Sequence, residues 1–193
     1  MKRDLMITNF KSSFLSCEND TETILKKLFI ESRPHSDILK RLLVIGTKDC
    51  LDNTESKVYQ EILKQKGLPE LRKEGYIKLE PKISMPEHEE IKAYIILAFD
   101  NFESNENPEF RDCLINFHIV CHTDYWDLGN YRVRPLKIAG YIDGILNKTK
   151  LSGIGQLHFF GCNQFSLDEN LSGYTLTYKA IHGSDDKISS KDK

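Results

Sequence analysis

Cysteine and histidine side chains recur in the second half of this sequence, where they could ligate a zinc ion. The candidate ligands are Cys113, His118, Cys121, His122, His158 and Cys162. Tetrahedral zinc needs four such ligands at about 2.0–2.3 Å. In a strand, His118 and Cys121 point to opposite faces, and histidines four residues apart are separated by roughly 13 Å. The sequence therefore predicts solvated or hydrogen-bonded strand histidines and no metal site.

A nucleophilic cysteine is the second kind of chemistry to consider. The five cysteines are widely scattered and form no C-x-x-C pair: Cys17, Cys50, Cys113, Cys121 and Cys162. An odd, scattered set predicts reduced, mostly buried thiols and no disulfide framework. No G-x-S-x-G elbow places a nucleophile, and nothing selects one Cys–His pair. We predict no catalytic residue, with a small zinc- or cysteine-dependent enzyme of unknown substrate as the alternative function.

Phosphate and cation sites leave recognisable patterns, and this sequence lacks them. Gly153 and Gly155 form G-x-G before a predicted strand, whereas a dinucleotide fingerprint needs a third glycine and opens a helix. We predict a helix-to-strand turn there and no cofactor. Two acidic groups are predicted to be solvated charge in a loop and a tail: Glu87, Glu89 and Glu90, and Asp185 with Asp186.

Length and composition exclude several classes of protein. The chain has 193 residues, 39 % of them hydrophobic, and a formal charge of −2. Such a chain has the apolar content of one folded domain. Near-neutral charge supplies no basic stripe for a phosphate backbone, so sequence-specific nucleic-acid binding is not expected. No apolar run approaches the roughly eighteen residues of a membrane span, and no signal peptide is recognisable. We predict a soluble protein made in the cytoplasm.

The elements that position these residues begin with helices. Three are predicted: one capped by Asp20 or Thr21 that stops before Pro34, one from Ser36 to Gly46, and one over 55–66 that ends at Gly67 before the breaker Pro69. Each has an amphipathic apolar stripe.

The remainder alternates with the period of strands. Strands are predicted over 75–84, 93–102, 110–122, 155–165 and 172–182. The clearest helix begins at Pro135, and Gly140 and Gly144 share one of its faces, where a neighbouring backbone could approach closely. This order predicts an α+β fold, an antiparallel sheet covered by a helix between hairpins, with additional N-terminal helices.

Three segments follow from this order, within what we expect to be one domain. Residues 1–74 are the helical N-terminal portion, 75–183 the antiparallel α+β core, and 184–193 a flexible polar tail.

The succession of elements over 93–183 resembles the tail-terminator and tail-completion proteins of tailed bacteriophages. The covering helix of that family carries a stripe of the form I-x-x-x-I-x-x-I-L, here Ile138, Ile142, Ile145 and Leu146. The resemblance implies a non-enzymatic virion protein at the head–tail junction, made in the host cytoplasm. It also implies a ring, usually a hexamer, between tail-tube and head-connector proteins. The longer helical N-terminus leaves room for a neck or connector variant.

Ring assembly requires a heterologous interface, and the sequence offers candidate parts for one. The loops over 80–91, 103–110 and 123–134 and the C-terminal tail could order against neighbouring subunits. Tyr125, Trp126 and Tyr131 are aromatic residues of the kind that anchor interfaces. Trp126 could instead cap the core of its own domain. A sheet edge could add a strand from a partner, which leaves a monomeric adaptor as a further alternative.

Overall fold

A computed structural model describes residues 17–53, 55–79, 92–104 and 110–183. The helices are α1 (Cys17–Lys26), continued by a π-helical turn (Lys27–Glu31), α2 (His35–Val44), α3 (Lys57–Gln65), α4 (Leu68–Lys73) and α5 (Arg134–Leu146), with a 3-10 turn over Thr123–Tyr125. The strands are β1 (Ile77–Lys78), β2 (Ala93–Ser104), β3 (Phe110–His122), β4 (Lys150–Leu151), β5 (Gly155–Gln156), β6 (His158–Ser166) and β7 (Leu171–Gly183).

Five strands form the central sheet in the order β1-β2-β3-β7-β6. The pairs β2–β3, β3–β7 and β6–β7 are antiparallel, whereas β1 runs parallel to β2. Strands β4 and β5 form a separate two-stranded ribbon. The predicted α+β class, with its N-terminal helices, is confirmed.

One face of the sheet carries the main core. Ile115 and Phe117 of β3 pair with Tyr178 and Leu176 of β7, and all four are buried. The rings of Phe117 and Tyr178 meet edge to face, with centroids 6.0 Å apart. Because side chains alternate along a strand, this face continues through every second residue of β3, as the sequence predicted.

The helices complete that core from one side of the sheet. The apolar stripe of α5 is buried there, and the Tyr178 hydroxyl donates to the Asp143 carboxylate (2.8 Å). Buried residues of α1 and α2 belong to the same cluster: Ile24, Leu25, Leu39, Leu42 and Leu43. The N-terminal helices therefore share the hydrophobic core of the sheet.

The opposite face of the sheet carries a smaller buried cluster. Its members are Tyr94, Ile96, Val120 and Leu171, with Phe165 packed against them. The Lys78 ammonium lies 4.7 Å from the centre of the Tyr94 ring. Because this face also buries apolar side chains, it is not uniformly exposed to solvent, as the second face of many antiparallel sheets is.

Several local predictions differ from the structure. Asp20 and Thr21 do not cap α1, because both lie inside it. The Thr21 hydroxyl donates to the Cys17 carbonyl one turn earlier (2.7 Å). The helix predicted over 55–66 is α3, which ends at Gln65 ahead of Pro69, as expected. The sequence pattern does not predict the short helix α4, and Pro69 occupies its first turn, where a missing N–H costs nothing.

Two further expectations concern the sheet and α5. The strand predicted over 75–84 pairs only at Ile77–Lys78, and residues 80–91 lie outside the described part of the chain. The expectation that a neighbouring backbone approaches α5 closely at Gly140 and Gly144 is wrong among the described residues. No atom lies within 4 Å of a Cβ built at either glycine. The predicted tail over 184–193 also falls outside the described residues.

Candidate functional site

The six cysteines and histidines considered as candidate metal ligands do not converge. Across the described ranges of the chain, no three His, Cys, Asp or Glu side chains are grouped to hold an ion. His118 shares a hydrogen bond with the Thr175 hydroxyl (Nδ1 to Oγ1, 2.9 Å). His122 accepts from the backbone N–H of Asp124 (3.2 Å) and so caps the 3-10 turn. Both histidines therefore make local hydrogen bonds, as predicted for histidines in a strand.

The cysteines are mostly buried and protonated. Cys50, Cys113 and Cys121 are buried, and burial raises the pKa of Cys113 and of Cys121 to about 12. A thiol acts as a nucleophile or a metal ligand only as the thiolate. These groups are therefore not poised for either role at neutral pH. Cys162 alone among the described cysteines is exposed.

Gly153 and Gly155 lie in the ribbon between α5 and β6. Both have positive φ, 83° and 76°, and they turn the chain from β4 into β5. The predicted helix-to-strand turn is confirmed in this form. The acidic groups at 87–90 and 185–186 lie outside the described residues.

Tyr125, the first predicted interface anchor, is buried in its own domain. The Arg134 guanidinium lies 4.1 Å from the centre of its ring, and Arg134 Nε donates to the Tyr125 carbonyl (2.7 Å). Burial raises the pKa of the Tyr125 hydroxyl well above its usual range. In this conformation the ring is not presented to a partner.

Trp126 is half-buried and packs against the main core. Its indole N–H donates to the Cys121 carbonyl (3.4 Å), and its ring lies 6.2 Å from the Tyr174 ring. This placement corresponds to the alternative in which Trp126 caps the core of its own domain.

Tyr131, the third predicted anchor, is fully exposed at the tip of a tight loop. Gly129, Asn130 and Tyr131 all have positive φ, at 70°, 51° and 59°. Left-handed backbone costs a non-glycine residue about 1–2 kcal/mol, and for an aromatic residue it is a clear outlier. Such conformations persist where surrounding contacts enforce them, and they cluster at functional positions.

Contacts with the α2–α3 segment hold this loop. Asp127 and Val133 form a β-bridge at its base. The Arg132 guanidinium makes two hydrogen bonds to the Asp52 carboxylate (2.7 and 2.5 Å), and Lys48 pairs with Asp127 (2.5 Å). The Tyr131 ring is thus displayed on a tied loop, which lowers the entropy cost of using it in a contact.

The most conspicuous surface is an edge that sequence reasoning did not locate. Strand β6 is the last strand of the sheet, and no described strand pairs with its outer side. Its nine residues, HFFGCNQFS, include no Lys, Arg, Asp or Glu. Natural edge strands are usually guarded by charges, by proline or by short length. Only a bulge between Phe159 and Gly161 interrupts β6.

Two aromatic side chains mark the start of this edge. Phe159 is 49 % exposed and Phe160 is 65 % exposed, whereas Tyr178, which pairs with Phe159, is buried. The aromatic residues of the two C-terminal strands therefore divide between core and surface. The uncharged run was visible in the sequence, but its position at the edge depends on the strand order.

Fold and surface together define a small α+β domain whose sheet ends in an uncharged edge strand. The chain belongs to the YomW family, whose model matches residues 36–180. YomW is the name of a Bacillus phage-derived family, which indicates a phage-associated protein. No curated protein matches the sequence.

One solved structure, from Akkermansia muciniphila, is similar over 93 % of this chain and 100 % of that chain. The sequence identity is 10 % and the TM-score is 0.30. Within the described part of this chain, no helix combines the length and the apolar content that crossing a bilayer requires.

Proposed function

We propose that this protein is a structural component of the phage head–tail junction that acts by assembly and performs no catalysis. Its subunits form a homo-oligomeric ring, with a hexamer favoured, which terminates the tail tube or joins neck and tail. Its neighbours in the virion are tail-tube and head-connector proteins. The protein is made in the host cytoplasm.

Family and surface support this proposal in different ways. Membership of the YomW family supports a phage-associated role. The observation that carries the assembly role is the β6 edge, with its unguarded backbone and exposed Phe159 and Phe160. Strand addition at such an edge supplies main-chain hydrogen bonds, and side chains beside it supply specificity.

Ring closure requires that the partner of β6 lie on a different surface of the next subunit. Tyr131 is a candidate for that second surface, since it is fully exposed and its loop is tied to the α2–α3 segment. Of the three predicted interface anchors, Tyr131 is therefore the one expected to contact a neighbouring subunit. Tyr125 and Trp126 pack instead in and against the core of their own domain.

A single variant tests the edge directly. Phe160→Lys places a charge on β6 at a position that is 65 % exposed, so the fold should tolerate it. By mass photometry and negative-stain imaging we expect rings of the wild-type chain and monomers of the variant. Val58→Lys is the matched control, because Val58 is 62 % exposed on α3 and lies outside the sheet.

Two outcomes would count against the ring. The proposal fails if the wild-type chain stays monomeric up to high concentration and binds neither tail tubes nor head connectors. It also fails if both variants assemble as well as the wild type. A monomer that binds one phage protein, and loses that binding with Phe160→Lys, would instead identify the strand-adding adaptor.

A further inference from the structure

A cavity between α2 and α3 concentrates positive charge that the net charge of the chain conceals. Its volume is about 440 Å³, within the rough range of 300–1,000 Å³ typical of small-molecule sites. The lining residues include five cations and one carboxylate: Arg33, Asp37, Lys40, Arg41, Gln60, Leu63, Lys64, Lys66 and Gly67. The excess of cationic side chains over carboxylates in this lining indicates an anionic ligand.

Lys40 is the most informative residue of the cavity. It is only 7 % exposed, and its ammonium makes no hydrogen bond or ion pair within the described part of the chain. Burial lowers its pKa, and the nearby Arg33 lowers it further, against the opposing effect of Asp37. Lys40 Nζ is not among the buried polar atoms that lack a hydrogen-bond partner in the described part of the chain, so the buried part is the aliphatic stem and the ammonium reaches the solvent of the cavity. An anion in the cavity would pair with this ammonium directly.

The other cations differ in how far protein groups already satisfy them. Arg41 is 8 % exposed and donates to the carbonyls of Cys50 and Asn53 at 3.4 and 3.5 Å. Lys66 pairs with Glu74. Arg33 and Lys64 have no ion pair in the structure as described. Positive charge therefore remains in excess on the walls of the cavity.

We propose that this cavity is a binding site for a polyphosphate group, meaning two or more linked or successive phosphates. Several cations spread over two helices match a ligand with several negative charges better than a single carboxylate. Arginine forks and lysine ammonium groups are the side chains that bind phosphate oxygens most readily. The ligand is either a free polyphosphate or nucleotide tail, or the backbone of a nucleic acid. This site is independent of the β6 edge and of the proposed assembly role.

Inorganic triphosphate is the probe for the shared chemistry. Isothermal titration of the full chain with triphosphate, at low and then at higher salt, should show saturable binding that weakens as salt rises. Lys40→Met keeps most of the aliphatic stem and removes the charge, so we expect at least a tenfold loss of affinity. Lys64→Gln changes an exposed side chain and should lose severalfold.

The matched control is Lys57→Gln. Lys57 is exposed on α3, the helix that also carries Lys64, but it does not line the cavity. We expect its affinity to stay within twofold of the wild type. Circular dichroism reports whether each variant is folded. If Lys40→Met does not fold, the comparison of Lys64→Gln with Lys57→Gln still tests the site.

Two further ligands distinguish the sources. If ATP binds as triphosphate does and a single-stranded oligonucleotide does not, the ligand is a free polyphosphate or nucleotide. If the oligonucleotide binds and triphosphate displaces it, the source is a nucleic-acid backbone. The proposal is overturned if triphosphate does not bind at low salt, or if Lys57→Gln weakens binding as much as Lys64→Gln does.

Discussion

The guanidinium of Arg134 stacks on the ring of Tyr125, 4.1 Å from its centre, and donates to the carbonyl of that same residue. Arg134 is completely buried and has no carboxylate partner among its hydrogen bonds. Its other donors reach the carbonyls of Leu42, Ile45 and Thr47 at 2.8–3.0 Å. One side chain at the start of α5 thus satisfies backbone acceptors at the end of α2, where a cation also favours the helix dipole.

Replacing Arg134 should therefore destabilise the whole domain. Arg134→Met would leave four carbonyls, three of them buried, without this donor, and we expect the free energy of unfolding to fall by about 3 kcal/mol or more. Chemical denaturation followed by circular dichroism measures the change. Lys48→Met is the control, because its pair with Asp127 is exposed and should contribute little. Equal unfolding midpoints for the two variants would contradict the bridging role of Arg134.

Two glycines should respond in opposite ways to substitution by alanine. A Cβ on Gly173 would lie 1.8 Å from the Ile119 carbonyl oxygen of the neighbouring strand, so Gly173→Ala should prevent stable folding. Gly140 lies on α5 with nothing within 4 Å, and Gly140→Ala should stabilise the protein by about 0.5–1 kcal/mol. Thermal unfolding compares the two. If Gly140→Ala lowers the unfolding temperature instead, the expectation that this face of α5 is open is contradicted.

Thiol labelling should separate the cysteines by burial. Cys162 is exposed and should react first with a chromogenic disulfide reagent, while Cys50, Cys113 and Cys121 should react only after unfolding. Desolvation, with a contribution from Asp143, raises the pKa of Cys162. Its labelling rate should therefore keep rising with pH beyond the range of an ordinary thiol. Mass spectrometry identifies the labelled residue, and rapid native labelling of Cys121 would contradict the core described above.

Acid should destabilise the protein partly through His118. Burial lowers the pKa of this imidazole, and the nearby Asp100 only partly offsets the effect. The unfolded chain then binds a proton more readily than the folded one, so stability is present above about pH 6.5 and is lost as pH falls through the lower folded pKa. His118→Gln should unfold with a weaker pH dependence than the wild type below about pH 6.5. Identical pH profiles would exclude this contribution.

The parts of the fold that sequence reasoning located are those with a strong local period. Alternation in β3 placed Phe117 and Ile119 on the core face and His118 on the other, as the structure has them. The apolar stripe of α5 is equally clear in the sequence, and Pro135 lies in the first turn of this helix. Both patterns arise because neighbouring residues of one element face the same surroundings.

Local signals failed where two principles compete at one residue. Helix α3 ends ahead of Pro69, as predicted, but a proline is equally suited to the first turn of a new helix, and the sequence pattern missed α4. Thr21 is a good capping residue, but its hydroxyl instead bonds to a carbonyl within α1. Sequence spacing alone does not decide between such alternatives.

By itself, the sequence determined the α+β class, the faces of the long strands and the near-neutral charge. Tertiary structure decided that Tyr125 is buried while Tyr131 is displayed, that β6 lies at an edge, and that cations gather between α2 and α3. The physical reason is distance along the chain. Arg134 meets the Leu42 carbonyl across 92 residues, and no local period reports such a contact. Net charge is likewise a sum over all residues, whereas binding depends on where the charges lie.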